Sequence, residues 1–381
     1  MYIYRKLTPA IEEAHKYFPV ILVTGARQVG KSTLCHHLFP NYKFVNLENI
    51  SSRVAALRDP VSFVENLGTR AIIDEVQNCP ELFSHIQCVV DEDKSKRFIL
   101  TGSCNFTLKK NACQTMAGRV AVFTLPQFSL GELSADEIQL PADTLIQRGF
   151  YPGVISDGTP VKLFYTSYYN TYIERDVRDV LRIGNLVKFD TFIRLVASRV
   201  GSELNASALS IEVGVSANTI SEWLSILQAS YIVFALPPFH ANISKRLTKM
   251  PKYYFYDTGL LCYLLNIDTV KKMSAYPFRG QLFENFVVSE MMKAAFNNAD
   301  APNLYFYREH SGREIDMLRV GSDKIEAYEI KSASTFRNEF MNNMDQLKKI
   351  LQQPLDTTLI YDGQSFPPQV LNFRDMVAQS R

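Results

Sequence analysis

Almost nothing in this sequence is lopsided, and each thing it lacks removes a class of protein. Its six cysteines, Cys35, Cys79, Cys88, Cys104, Cys113 and Cys262, form no CxxC pair and keep no zinc-site spacing to a histidine. They read as free core thiols, which excludes a disulfide scaffold and, with it, an oxidising compartment. Apolar runs such as Tyr231 to Pro238 are less than half of the roughly 20 residues a membrane helix needs. The stretch up to Phe18 mixes Arg5, Lys6, Glu12 and Glu13 with single apolar residues and has no signal-peptide core. A cytoplasmic protein with no membrane partner is expected. Charge of one sign is also missing: 41 Lys and Arg against 39 Asp and Glu leave +2, so any footprint for a polyanion is local. No repeat or low-complexity tract stands out. What is there is 381 residues, 46% of them hydrophobic, enough for two or three globular modules.

Hydrophobic patterning divides the chain into three blocks, at 1–145, 146–275 and 276–381. In the first, β-rich runs at Pro19–Thr24, Lys43–Leu47, Arg70–Ile73, Arg97–Thr101 and Arg119–Leu125 alternate with helical stretches, which predicts a parallel sheet covered on both faces. Gln127 to Pro160 is punctuated by Gly149, Pro152, Gly153, Gly158 and Pro160 and reads as a linker. Helical spacing follows over Thr171–Arg182 and Phe189–Val200, then helix, turn at Gly214, helix over Ala206–Gln228, then β-like runs at Tyr231–Leu236 and Lys252–Tyr256. That order predicts a winged helix-turn-helix. A helix over Gln281–Phe296 and strands at Asn303–Arg308, Arg313–Val320, Lys324–Lys331 and near Thr358–Tyr361 predict a second α/β unit.

The first block carries Gly25-Ala26-Arg27-Gln28-Val29-Gly30-Lys31-Ser32-Thr33, a G-x-x-x-x-G-K-[ST] loop between an apolar strand and a helix. Its glycines let successive N–H groups turn toward phosphates, Lys31 meets the outer phosphates, and Ser32 suits magnesium, so ATP and Mg2+ are the expected ligands. Downstream, Ala71-Ile72-Ile73-Asp74-Glu75 ends a strand on two acids: Asp74 for the magnesium water shell, Glu75 to polarise the attacking water. The next strand ends in Thr101-Gly102-Ser103, and either hydroxyl fits a γ-phosphate reporter. Arg119 fits either a charge donor to a neighbouring subunit, in a homo-oligomer, or a solvated strand start.

With these motifs in hand, the chain resembles prokaryotic ATP-binding proteins of the AAA superfamily that carry a large C-terminal domain of formerly unknown function. The resemblance rests on GARQVGKST, YKFVNLEN, Arg58-Asp59-Pro60, IIDEVQNCPELF, RFILTGS, MAGRV, YIERDV at Tyr172–Val177, YFYDTGL at Tyr254–Leu260 and LFENFVVSE. It implies a nucleotide-binding domain, a winged-helix middle and a restriction-endonuclease-like C-terminal fold. Arg148-Gly149-Phe150-Tyr151-Pro152 departs from the paired glycines that relatives tend to have there.

In the last block, Arg313-Glu314-Ile315-Asp316 is followed, past a turn at Ser322-Asp323, by Glu329-Ile330-Lys331. Residues two apart on a strand share a face, so Glu329 and Lys331 point together, and a hairpin at that turn sets Asp316 across from Glu329. Two carboxylates suit a hard cation, and Lys331 beside them suits positioning a water or neutralising phosphate charge. Glu284 matches the extra acid of many enzymes with this D-(D/E)xK arrangement, and Gln346 a glutamine seen in their recombination-type relatives. The bland alternative is a solvated acid–lysine ladder.

The middle block is less pointed. Asn218, Thr219 and Ser221 begin the second helix of the helix-turn-helix, but Gly201–Ser244 contains no Lys or Arg, which weighs against phosphate contact there. Lys245, Arg246, Lys249 and Lys252 fall in the expected wing, leaving DNA contact through the wing or docking of a protein partner. Trp223, Leu224 and Leu227 read as core. The sequence thus predicts an ATP-hydrolysing AAA-type protein acting on DNA, with a nuclease site in its last domain. The alternative is a non-nucleolytic ATP-dependent switch or scaffold.

Overall fold

A computed structural model of the chain describes residues 2–103, 115–171, 186–239, 250–309, 312–350 and 354–376. All but Thr171 of the helix expected over Thr171–Arg182, the whole of YIERDV, Cys104, Cys113, and the wing residues Lys245, Arg246 and Lys249 lie outside these. Among the described residues no helix is long and apolar enough to cross a membrane.

The first unit is a parallel sheet of order β2-β3-β4-β1-β5, with β1 Val20–Thr24, β2 Lys43–Asn46, β3 Arg70–Asp74, β4 Arg97–Gly102 and β5 Val120–Thr124. Each expected run forms a strand, trimmed or extended by one or two residues. The sheet is apolar on both faces because strand side chains alternate. Val20, Leu22, Ala71, Ile73, Phe98 and Leu100 enter one core, while Ile21, Val23, Ile72 and Ile99 enter the other. Helices α1 (Thr8–Tyr17), α2 (Lys31–Leu38), α3 (Ile50–Arg58), α4 (Pro60–Asn66) and α5 (Leu82–Glu92) belong to this unit. Of the described cysteines, Cys35, Cys79 and Cys262 are buried and Cys88 is exposed, so the core-thiol reading fails for Cys88.

Residues 127–160 are not a linker. Phe128, Leu130, Leu145, Ile146, Phe150 and Tyr151 are all buried, in a core shared by the sheet and both later units. Gly149 serves close approach rather than flexibility: its φ is +70°, and a Cβ there would lie 2.0 Å from the Tyr165 hydroxyl. The stretch forms α6 (Ala142–Arg148) and leads to α7 (Val161–Tyr168).

The middle unit has α8 (Leu186–Ser198), then α9 (Ala206–Val213) and α10 (Ala217–Ala229) joined at Gly214, whose φ of +72° suits glycine. Ser216 caps α10, accepting from the Thr219 N–H at 3.1 Å. Trp223, Leu224 and Leu227 are buried as expected, the indole against Phe189 and Phe192. A small antiparallel sheet of order β6-β8-β7 follows, with β6 Ser202–Glu203, β7 Val233–Leu236 and β8 Lys252–Phe255.

The last unit packs α11 (Arg279–Asn297) on a sheet of order β13-β12-β11-β10-β9. Its strands are β9 Leu304–Arg308, β10 Glu314–Val320, β11 Ile325–Lys331, β12 Leu355–Tyr361 and β13 Val370–Asn372. The β9–β11 meander is antiparallel and β11–β13 are parallel. Strand β13 escaped the sequence reading because its three residues show no periodicity. The Phe239 N–H donates to the Phe306 carbonyl at 2.6 Å, joining the segment just past β7 to the edge of this sheet.

Candidate functional site

The glycine-rich loop lies where β1 ends and α2 begins. Gly25 has φ +147°, and a Cβ on it would sit 2.2 Å from the Leu125 carbonyl oxygen, so no other residue fits beside β5. Gly30 (φ +90°) and Gln28 (φ +60°) are left-handed, which curls the loop so that α2 opens directly behind it. Lys31 is buried and folds over the loop, donating to the carbonyls of Gly25 at 3.1 Å and Ala26 at 2.8 Å. Burial pushes its ammonium below the usual lysine value, against the pull of Glu75 and Asp74. Arg27 points away from the loop to Glu48, 3.4 Å distant.

The acids at the end of β3 face this loop. The Ser32 hydroxyl donates to both Asp74 oxygens at 2.9 Å, and Thr101 from β4 donates to the same carboxylate. Ser103 donates to Glu75 Oε2 at 2.9 Å, and Gln77 donates to that oxygen as well. The two hydroxyls left open by the sequence thus divide: Thr101 orients Asp74 and Ser103 orients Glu75. Glu75 has φ +55°, a left-handed conformation that costs a non-glycine residue free energy and sets its carboxylate beside the loop. Ser32 and Asp74 form a hydroxyl–carboxylate pair of hard oxygen donors that fits a magnesium ion.

Between this loop and the start of the middle unit lies a cleft of about 930 Å3. Gln28 to Thr33 and Glu75 line one wall, and Pro152, Gly153, Leu163, Phe164 and Tyr168 the other. That volume is in the range of pockets that enclose a nucleotide-sized ligand. Arg119 lies away from it, in a two-pronged ion pair with Asp91 at 2.9 Å on each prong.

Several residues that tie the site together escaped the sequence reading. Arg5, 3% exposed, donates to the Val29 carbonyl at 2.9 Å, to Pro126 O at 2.6 Å and to Glu132 at 2.9 Å, and covers the Phe128 ring. A peptide's C=O and the next N–H point opposite ways, so holding Val29 O from behind keeps the Gly30 N–H turned to the cleft. From α11, Glu290 accepts from the Leu130 N–H at 2.7 Å, and Lys293 donates to Phe128 O at 3.0 Å. Tyr231 of the middle unit meets the Thr24 hydroxyl at 2.8 Å. The one local signal was Ser129-x-x-Glu132, a capping box, which announces a turn and not a partner 127 residues away.

In the last unit, the register Met317↔Tyr328 continues to set Asp316 across from Glu329, and Asp316 accepts from the Ile330 N–H at 2.8 Å. Lys331 Nζ lies 2.7 Å from Glu329 and 3.6 Å from Asp316. Glu329 is 4% exposed, and its Oε2 is buried with no hydrogen-bond partner. Burial and then Asp316 raise its carboxyl above the ordinary value, with Lys331 opposing. Glu284 accepts from the Tyr254 hydroxyl at 2.6 Å and lies 3.5 Å from Lys252 Nζ, and burial and then the Asp316 charge raise its carboxyl to about 7. Among the described residues no group of three or more His, Cys, Asp or Glu gathers as a metal-binding set. Gln346 is exposed on the helix Asn342–Ile350. Lys252, expected in the wing, is 2% exposed and paired with Glu314 of β10 and with Glu284, which β8 meets by packing against α11.

Comparison with known proteins agrees with the first unit's geometry. A family model described as an AAA domain matches residues 17–134. Two models described as domains of unknown function, DUF8612 and DUF4143, match 141–271 and 279–374. An uncharacterized protein of Mycobacterium tuberculosis, Rv2008c, is 30% identical over 327 residues, 83% of this chain and 71% of its own length. This chain belongs to the same family. An uncharacterized protein of Haemophilus influenzae is similar at 22% identity over 298 residues, covering 74% of this chain and 71% of its own. Among solved structures, the Walker-type ATPase PABY2304 of Pyrococcus abyssi is similar over 68% of this chain and 95% of its own, at 14% identity and a TM-score of 0.45. The first unit of this chain is thus an AAA domain, with its P-loop between β1 and α2.

Proposed function

We propose that the chain binds and hydrolyses ATP at the Gly25–Thr33 loop and acts on DNA, with a nuclease site in its last unit. The observation that carries the ATP reading is the pairing of hydroxyls with acids at the strand ends: Ser32 and Thr101 on Asp74, Ser103 on Glu75. In this reading, loop N–H groups and Lys31 hold the phosphates, and Ser32 and Asp74 hold the magnesium ion, whose charge offsets that on the phosphates. Glu75, aligned by Ser103 and Gln77, takes the proton of the attacking water. Ser103 then stands beside the γ-phosphate and registers its loss.

The helix–turn–helix followed by a small antiparallel sheet supports a winged-helix middle domain, and the mixed sheet under α11 supports a restriction-endonuclease-like last domain. At Asp316 and Glu329, the unpartnered, buried Glu329 Oε2 fits a divalent cation or a proton. A bound cation would polarise a phosphodiester, and Lys331 would neutralise charge on it. A second reading has a specific observation behind it. Lys331 already pairs with both acids, as it would in a switch or scaffold whose last domain binds without cleaving. We place the protein in the cytoplasm, with self-association and a protein partner at the winged helix as further proposals.

Plasmid and branched DNA incubated with the full chain and magnesium or manganese, with and without ATP, separate the two. Cleavage that Asp316→Ala abolishes supports the nuclease reading. Intact ATP turnover with no cleavage of any substrate leaves the switch.

A further inference from the structure

The nucleic-acid reading leaves a difficulty, since most described cations of the middle unit, Arg148, Lys162, Arg194, Arg199, Lys252 and Lys272, are paired with acids. The opposite end of the AAA sheet supplies what is missing. Parallel strands all begin at one end, and β2, β3 and β4, which are neighbours, begin with Lys43, Arg70 and Arg97, with Lys96 just before the last. Arg70 and Arg97 are direct register partners. With strands roughly 4.8 Å apart, three strand starts bring these four cations into a row of about 10 Å.

Three of these four side chains, Lys43, Lys96 and Arg97, donate to backbone carbonyls. Lys43 donates to Asn66 O at 2.7 Å and Lys96 to Gly68 O at 2.9 Å. Arg97 donates to Lys94 O at 2.7 Å and Lys96 O at 2.9 Å, while exposed Arg70 lies over the Tyr42 ring, 6.0 Å from its centre. Carbonyls orient a cation without cancelling its charge. The carboxylate that senses Lys96 is Asp93, which is engaged by the Ser95 N–H at 2.8 Å and the Ser95 hydroxyl at 2.6 Å. The positive field registers on neighbouring groups: after burial, Arg97 and Arg70 hold the His15 imidazole below its usual value. Arg70 and Arg97 also line a concavity of about 440 Å3 with His15, Tyr42, Asn41 and Ser95.

We propose that this strand-start row, Lys43, Arg70, Lys96 and Arg97, is a nucleic-acid backbone site on the AAA domain. Uncancelled cations in a line suit consecutive phosphates, and the aromatic rings beside them suit a splayed base. A flat anionic membrane has nothing to place in the concavity. The site rests on the reading that this protein acts on nucleic acid, and it deepens that reading by locating the contact. Because the row and the P-loop lie at opposite ends of the same strands, nucleic acid and ATP can be held together.

The test is fluorescence anisotropy of the full chain with labelled duplex and single-stranded DNA across a salt series, with ATP turnover measured in parallel. Arg70→Glu and Lys96→Glu should each weaken binding about tenfold or more at 100 mM salt and reduce the slope of log K against log salt by about 1 for each lost phosphate contact. Arg70→Lys should keep most of the slope, Arg337→Glu in the last unit should change nothing, and ATP turnover should stay at the wild-type rate in all four. Wild-type affinity in both charge-reversed variants would overturn the row while leaving DNA action intact. No DNA binding by the wild type at 50 mM salt would overturn both. Binding to anionic phosphatidylserine vesicles but not DNA, lost in the same variants, would assign the row to a membrane instead and overturn the proposal.

Discussion

Replacing Arg5 by methionine removes a buried charge whose partners include the P-loop itself, and its cost can be worked out from the contacts. The guanidinium is 3% exposed and the Glu132 side chain it pairs with is fully buried. Breaking a buried ion pair from one side costs about 3–5 kcal/mol, because the remaining charge stays buried. Glu132 keeps the Lys6 N–H at 2.9 Å and the Ser129 N–H at 2.8 Å, which argues for the low end, about 3 kcal/mol. For a unit of this size that is a fall in melting temperature of about 6–12 °C. The loss should depend on pH in a definite direction. Burial raises the Glu132 carboxyl, but Arg5 and the Ser129 and Lys6 N–H groups reverse this and hold it below the ordinary value. In the wild type that stabilisation is present above the unfolded glutamate value of about 4.3 and is lost only as pH falls through the depressed folded value. In the variant, burial dominates and the folded value lies above the unfolded one. The penalty is then full at pH 8 and shrinks as pH falls, so the gap between the two proteins should narrow from pH 8 to pH 5. Thermal unfolding followed by circular dichroism at both pH values checks this, with ATP affinity measured alongside because the Val29 carbonyl loses its anchor. A shift under about 1 °C at pH 8, or a gap that widens toward pH 5, would refute the argument.

Two other perturbations follow from the same contacts. Lys31→Ala should abolish ATP binding by calorimetry while the chain stays folded, since the ammonium touches only the Gly25 and Ala26 carbonyls; unchanged affinity would remove the loop assignment. Asp316→Ala in the full chain should remove manganese binding, whereas Lys331→Ala should keep the metal and lose any DNA cleavage; equal defects in both metal binding and cleavage from the two variants would point to a structural ladder.

How far the sequence could be read depended on whether the signal was local. The sheet of the AAA domain was legible because Val20–Val23 and Phe98–Leu100 are short apolar runs with helices between them, and the loop announced itself by glycines at fixed spacing. Asp316 opposite Glu329 was legible because a hairpin's turn fixes its register. Arg5 was not, since its partners lie 24, 121 and 127 residues away and no spacing encodes such contacts. Residues 127–160 misled for a physical reason: Gly149 looks like flexibility, yet it is a place where a tyrosine passes against the backbone. Lys252 misled in the same way, because a strand's basic residue carries no mark of the acids on α11 and β10 that it will meet.

The account stands or falls on Glu75 as the base that turns ATP binding into hydrolysis. The decisive measurement is single-turnover ATP hydrolysis by wild type and Glu75→Gln at saturating magnesium, with ATP affinity determined for each. Glutamine keeps the side chain's shape and can still hydrogen-bond Ser103, while Asp74 remains to hold the ion. Removing a general base costs roughly 10²–10⁴ in rate, so ATP binding should be retained and hydrolysis should fall by at least that lower factor. Equal hydrolysis in the two proteins would contradict the assignment and with it the proposed working of the site.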